Sequence, residues 1–222
     1  MGQITPTVLW PQDVQSETLV EWIAAIERMD GAGWPLVLVG NCNEVDPLDG
    51  LAMAAFCAAR TRQIGLCASV NASTVEPYTL ARGLATLDFM SGGRAAWRIE
   101  AGSDEARTLE LVATVRELFA SWQEDALESD ADNGLMSNPD KVRAIHHEGE
   151  YFQVEGPLNM PRPPQGNVPL IALSDEGAIA AAADLVLNPQ TLWKVKLAEL
   201  PAAPARLSRP SGQSILERFP EA

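Results

Sequence analysis

The stretch 94–102, RAAWRIEAG, places a basic and an acidic residue where a buried strand would be expected to end. Side chains alternate along a strand, so Arg98 and Glu100 point the same way. Two chemistries suit such a pair. The guanidinium could hold an anion with Glu100 as its resting partner, or the two could form an ion pair that fills a pocket. His146 and His147 are the only histidines. Neighbours on a strand face opposite ways and cannot readily share one ion, so no metal site is expected. Cys42, Cys57 and Cys67 form no CxxC pair. Free thiols in a reducing compartment, the cytoplasm, are the simplest reading.

These residues need elements to position them. The sequence predicts strands at 7–10 (TVLW), 35–41 (PLVLVGN), 62–70 (RQIGLCASV) and 95–99 (AAWRI), each a short apolar run. Helical spacing predicts helices near 17–30, 48–60, 77–90 and 104–122. Leu80, Leu84 and Leu87 share one face of the third, and Leu111, Val115, Leu118 and Trp122 share one of the fourth. Strand then helix, repeated four times, argues for βαβ units and a parallel sheet. The rhythm breaks over residues 123–167, a polar excursion with one hairpin turning at Gly149. It returns with strands at 168–174 and 184–188 around an alanine-rich helix. That makes six strands rather than eight. A complete (β/α)₈ barrel takes about 250 residues, so an incomplete barrel in a single domain over 1–222 is expected, with a C-terminal segment from 189.

The whole chain narrows the function classes. Its 222 residues include 16 Lys+Arg against 30 Asp+Glu, a formal charge of −14. An acidic surface repels phosphate backbones, so neither nucleic acid nor an anionic membrane is an expected partner. No run of about 18 apolar residues suggests a membrane span. The first residues, MGQITPTVLWPQD, lack a basic segment followed by an apolar one, so no secretory signal is expected.

The segment EPYTLARGLATLDFMSGGRAAW (76–97) resembles the third helix and fourth strand of the bacterial-luciferase-like flavin monooxygenases. SWQEDAL (121–127) and NPDKVRAIHHEGEYFQVEGPLNMPRPPQG (138–166) are similar to the branch that holds nitrilotriacetate and dibenzothiophene-sulfone monooxygenases. The resemblance runs from about residue 17 to 188 and implies a luciferase-like TIM barrel, truncated here. It also implies a two-component reaction. A separate flavin reductase supplies reduced FMN, which with oxygen oxygenates a small organic molecule in a pocket kept dry.

The site residues that the resemblance implies lie at the C-terminal ends of the strands. Asn41, after the second strand, either meets a flavin edge or serves its turn. Ser69 ends the third strand as a flavin contact, while Ser73 and Thr74 belong to the turn that follows. In the fourth strand the family pattern is close to Trp-Asn-Ile-Val-Thr-Ser, and this chain reads Trp97-Arg98-Ile99-Glu100-Ala101-Gly102. Arg98 thus replaces a flavin-facing asparagine. It holds the FMN phosphate or a substrate carboxylate, or it plugs a vacated pocket with Glu100. The family's long loop after this strand is reduced to SDEART. Its glycine-containing phosphate turn is reduced to ALSDEG, where Ser174 and Gly177 are the remaining candidates. The seventh and eighth strands have no counterpart in the sequence, and no catalytic residue is assigned. An open barrel exposes edges and apolar helix faces, so a homodimer is expected. Two functions follow: an FMN-dependent monooxygenase, or a non-catalytic flavin-binding or degenerate relative that acts as a partner subunit.

Overall fold

Apolar runs of three to seven residues are too short to bury one face as a helix, and in the computed structural model they become strands. The structure describes residues 7–8, 19–40, 49–100, 104–127, 136–188 and 193–194. In chain order the first half is β1 (Thr7–Val8), α1 (Leu19–Gly31), β2 (Leu36–Val39), α2 (Gly50–Arg60), β3 (Gly65–Asn71), α3 (Pro77–Ser91), β4 (Ala95–Glu100) and α4 (Glu105–Ala120). A hairpin of β5 (His147–Glu148) and β6 (Gln153–Val154) follows. Then come β7 (Ile171–Leu173), α5 (Gly177–Ala182), β8 (Leu185–Leu187) and β9 (Trp193–Lys194).

All barrel strands are parallel. One sheet has the order β4-β3-β2-β1-β9, and β7 pairs with β8. A parallel bridge between Trp97 and Leu170 joins the two sheets at β4. The six strands expected from sequence are all present, with shifted ends. The count itself needs correction: β9 is a seventh parallel strand, on the edge of β1 away from β2. A two-residue strand has no periodicity to reveal it. Among the described residues no ladder joins β8 to β9, so the barrel stays incomplete there. Apart from β9, the segment from 189 onward lies outside the described residues.

Alternation divides the strands between two cores. Val37, Val39, Leu66, Ala68, Trp97 and Ile99 face the helices and join the main cluster. Their neighbours Leu36, Leu38, Cys67, Ala96 and Ile171 face inward and form a second cluster inside the barrel. The strands therefore read as continuous apolar runs, as strands buried on both faces do.

Local chemistry sets the helix ends. Asp49 caps α2 by accepting the Ala52 N–H at 2.7 Å, and Asp104 caps α4 through Arg107 N–H at 3.0 Å. Pro77 opens α3, and Gly92, at φ +67°, closes it in the left-handed region. Gly50 starts α2 against the end of β3. A Cβ there would collide with the Ser69 carbonyl oxygen, so only glycine allows the contact.

The excursion and the residue that follows it bind to the helices and to β4 through buried and half-buried hydrogen bonds. Trp122 Nε1 donates to Leu158 O at 2.6 Å, and Trp97 Nε1 donates to Val168 O at 3.0 Å. The Asp88 carboxylate accepts from the Gln165 backbone and side chain at 3.0 and 2.7 Å. Burial pushes this carboxyl above its ordinary range, and those Gln165 bonds partly offset it. The hairpin tip gives three consecutive N–H groups, from Glu150, Tyr151 and Phe152, to the Glu110 carboxylate at 2.8 to 3.1 Å.

Candidate active site

Alternation from Ala96 aims Arg98 and Glu100 at the inside of the barrel, at the C-terminal end of β4. Arg98 is 7% exposed. Its Nη1 donates to Glu100 Oε1 at 2.7 Å, and its Nη2 donates to Glu176 Oε1. Glu176 comes from the turn between β7 and α5, and its other oxygen accepts the Leu173 N–H at 2.6 Å. One guanidinium thus faces two carboxylates, and the group carries net negative charge. Burial pulls the Arg98 pKa down, but Glu176 and then Glu100 outweigh it and hold it above its ordinary value. Arg98 is a fixed cation.

Ser69 lies directly across from Arg98 in the β3–β4 register. It is 5% exposed. Among the described residues its hydroxyl has no hydrogen-bond partner, and neither does Arg98 Nε. Buried polar groups are nearly always paired, so two adjacent orphans mark a place where a polar group of something else fits. Below them the inner wall is apolar, with Leu38, Cys67, Ala96 and Ile171. Burial raises the Cys67 thiol pKa well above its ordinary range, opposed in part by Arg98 and reinforced by Glu176. Cys67 is therefore a neutral wall residue, and so is Cys57, pushed up to about 12 by burial.

The turn after β7 lies beside this pair. Ser174 is exposed, and its backbone N–H donates to Leu187 O at 2.9 Å. Gly177 opens α5 at φ +57°. The next N–H, of Ala178, donates to Glu105 Oε1 at 3.2 Å. Two N–H donors of the turn, those of Leu173 and Ala178, thus already serve the chain's own carboxylates. Asn41 lies outside the described residues. Ser73 and Thr74 sit in the turn after β3, where Asn71 Oδ1 accepts the Ser73 N–H at 2.9 Å.

The two histidines point apart. His147 packs on α4 with Nδ1 at 2.9 Å from Glu117 and Nε2 at 3.3 Å from Glu110, whereas His146 is exposed beside Glu155.

Sequence reasoning missed Glu176. It stands in the same ALSDEG segment as Ser174 and Gly177, where a phosphate turn directs attention to hydroxyl and N–H donors. The available signal was position: a charged residue just past a barrel strand stands at the mouth.

The chain matches the family model described as "Luciferase-like monooxygenase" over residues 1–198. It is 36% identical over 168 residues to one component of the pristinamycin IIA synthase of Streptomyces pristinaespiralis, covering 73% of this chain and 60% of that protein. It is also 36% identical over 137 residues to dibenzothiophene-sulfone monooxygenase of Rhodococcus erythropolis, covering 54% of this chain and 30% of the relative. Among solved structures, a riboflavin lyase crystallised with a modified FMN and riboflavin superposes with a TM-score of 0.62 at 28% identity. That match covers 74% of this chain and 46% of the lyase. The chain thus spans less than two thirds of each relative's length. The order of parallel strands, the mouth at their C-terminal ends and these matches lead to one assignment: the chain belongs to the luciferase-like monooxygenase family.

Proposed function

We propose that the chain acts as a monooxygenase-like oxidoreductase that takes reduced FMN from a separate flavin reductase and works with oxygen on a small organic substrate. The observation that carries this reading is the pair of orphaned buried donors, Ser69 Oγ and Arg98 Nε, above an apolar inner wall. A flavin needs an apolar wall for its ring and a few polar contacts for its polar groups, and this donor set fits it. When bound, the flavin supplies the redox chemistry with oxygen.

The chain's own residues orient and shield. Ser69 and Arg98 offer donors to the flavin's polar groups, and Ser174 and Gly177 lie on the turn beside them, the turn that brings Glu176 to Arg98. The inward apolar residues keep water out, which raises the strength of each polar contact in the mouth. Arg98 holds its charge in place of the family's asparagine and does not move a proton.

We further propose a homodimer and a cytoplasmic setting. Exposed Phe56, Phe89 and Met90 on α2 and α3 support an apolar face that a second copy covers. The free, buried Cys57 and Cys67 suit a reducing compartment. No described helix is long and apolar enough to cross a membrane.

A second reading rests on a specific observation: Arg98 is held by two of the chain's own carboxylates. That arrangement also suits a non-catalytic flavin-binding or degenerate subunit whose mouth is plugged. Titration of the purified chain with FMN, oxidised and then anaerobically reduced, followed by fluorescence and calorimetry, separates the two. The monooxygenase reading requires the reduced form to bind with Kd in the range of about 1 μM, roughly −8 kcal/mol. Failure of both forms to bind would leave the plugged mouth as the function's end state.

A further inference from the structure

We infer that Glu176 sets the charge selectivity of the barrel mouth: it occupies the anion seat on Arg98, and an anionic ligand gains that seat only by displacing it. The identity of the anion as a flavin phosphate rests on the flavin reading; the occupied seat itself rests on geometry alone.

Three observations carry the inference. Arg98 is buried, and its two terminal nitrogens are both taken by carboxylates. The two carboxylates differ in how they are held. Glu100 lies two residues along the same strand as Arg98. Glu176 comes from the turn between β7 and α5, where the Leu173 N–H also holds it. Glu176 is thus the carboxylate that the neighbouring turn, the one carrying Ser174 and Gly177, lays over Arg98. Finally, Ser69 Oγ and Arg98 Nε stand beside the seat with no partner among the described residues. A phosphate oxygen that replaced the Glu176 carboxylate would keep the Arg98 Nη2 bond and find donors already in place.

Charge decides which ligands enter. With Glu176 ionised, the mouth opposes a phosphate and is indifferent to an uncharged flavin of the same ring system. Removing that charge leaves Arg98 balanced by Glu100 alone and opens a seat for an anion. At separations of a few ångströms and an effective dielectric near 20, one charge against a phosphate alters affinity by about tenfold or more.

The test compares FMN with riboflavin, which shares the ring and lacks the phosphate, on wild type and Glu176→Gln. The amide of that variant can still accept the Leu173 N–H. Glu148→Gln, on the exposed hairpin, changes net charge equally and serves as the control. Glu176→Ala stands in should the first variant fail to fold. The expected result is an increase of about tenfold or more in FMN affinity for Glu176→Gln, with riboflavin within about twofold and Glu148→Gln like wild type. Equal shifts for both flavins, no shift for either, or the same gain in Glu148→Gln would overturn the inference. Should no protein bind either flavin, the flavin reading fails, and inorganic phosphate decides the seat. A melting temperature that phosphate raises in Glu176→Gln but not in wild type supports it, and equal response in both overturns it.

Discussion

Replacing Arg98 by methionine keeps most of the side-chain volume and removes the charge, leaving Glu100 and Glu176 facing one another at the barrel mouth. Breaking a buried ion pair by removing one partner costs about 3–5 kcal/mol, because the remaining charge is stranded. The Glu100 and Glu176 side chains are 21% and 17% exposed, so water screens them in part and lowers that cost. A loss of about 2–3 kcal/mol at pH 7 follows, or roughly 4–12 °C in melting temperature for a chain of this size. The loss should shrink in the triple variant Arg98→Met, Glu100→Gln, Glu176→Gln, which strands no charge. Urea unfolding followed by circular dichroism at pH 7 reads both. A single-variant loss below about 0.5 kcal/mol, the range of an ordinary surface change, would refute the idea that the mouth is held by a buried charge cluster. So would a triple variant as unstable as the single one.

Gly50→Ala should destabilise the chain by about 1–3 kcal/mol, because its Cβ meets the Ser69 carbonyl oxygen and backbone must move; thermal melting checks this. Trp97→Phe removes the 3.0 Å bond to Val168 O and leaves that buried carbonyl unpaired, at a cost of about 1–3 kcal/mol in urea unfolding. Burial alone would raise the Glu110 pKa, but the N–H groups of Phe152 and Tyr151, with help from His147, bring it below its ordinary value. A carboxyl depressed on folding contributes stability above its unfolded pKa and loses it as pH falls through the folded one. Acidification through the carboxylate range should therefore release the hairpin tip, read as lower amide protection factors, relative to intrinsic exchange at each pH, for Glu150, Tyr151 and Phe152. Glu110→Gln should accelerate the same amides by about tenfold at neutral pH.

The parallel architecture was legible because every barrel strand except β9 is an apolar run bounded by turn residues, with an amphipathic helix to follow the first four. Gly149 marked its turn for the same local reason that the structure shows. What was hidden depends on distance along the chain. The hairpin docks on α4 through Glu110, some 40 residues before the amides it holds, and no local pattern signals such a pairing. Glu176 reaches Arg98 across 78 residues. The Arg98–Glu100 pairing, by contrast, followed from strand alternation alone. Ser69 was found at a strand end, but its missing partner shows only once β3 and β4 are set in register.

Whether the flavin lies at the Ser69–Arg98 mouth is tested most directly by the affinity of Ser69→Ala for anaerobically reduced FMN. Binding should be about tenfold weaker than in wild type, with the melting temperature unchanged or raised, since the lost hydroxyl has no partner among the described residues. Binding as tight as wild type would place the flavin elsewhere and contradict the assignment of this mouth.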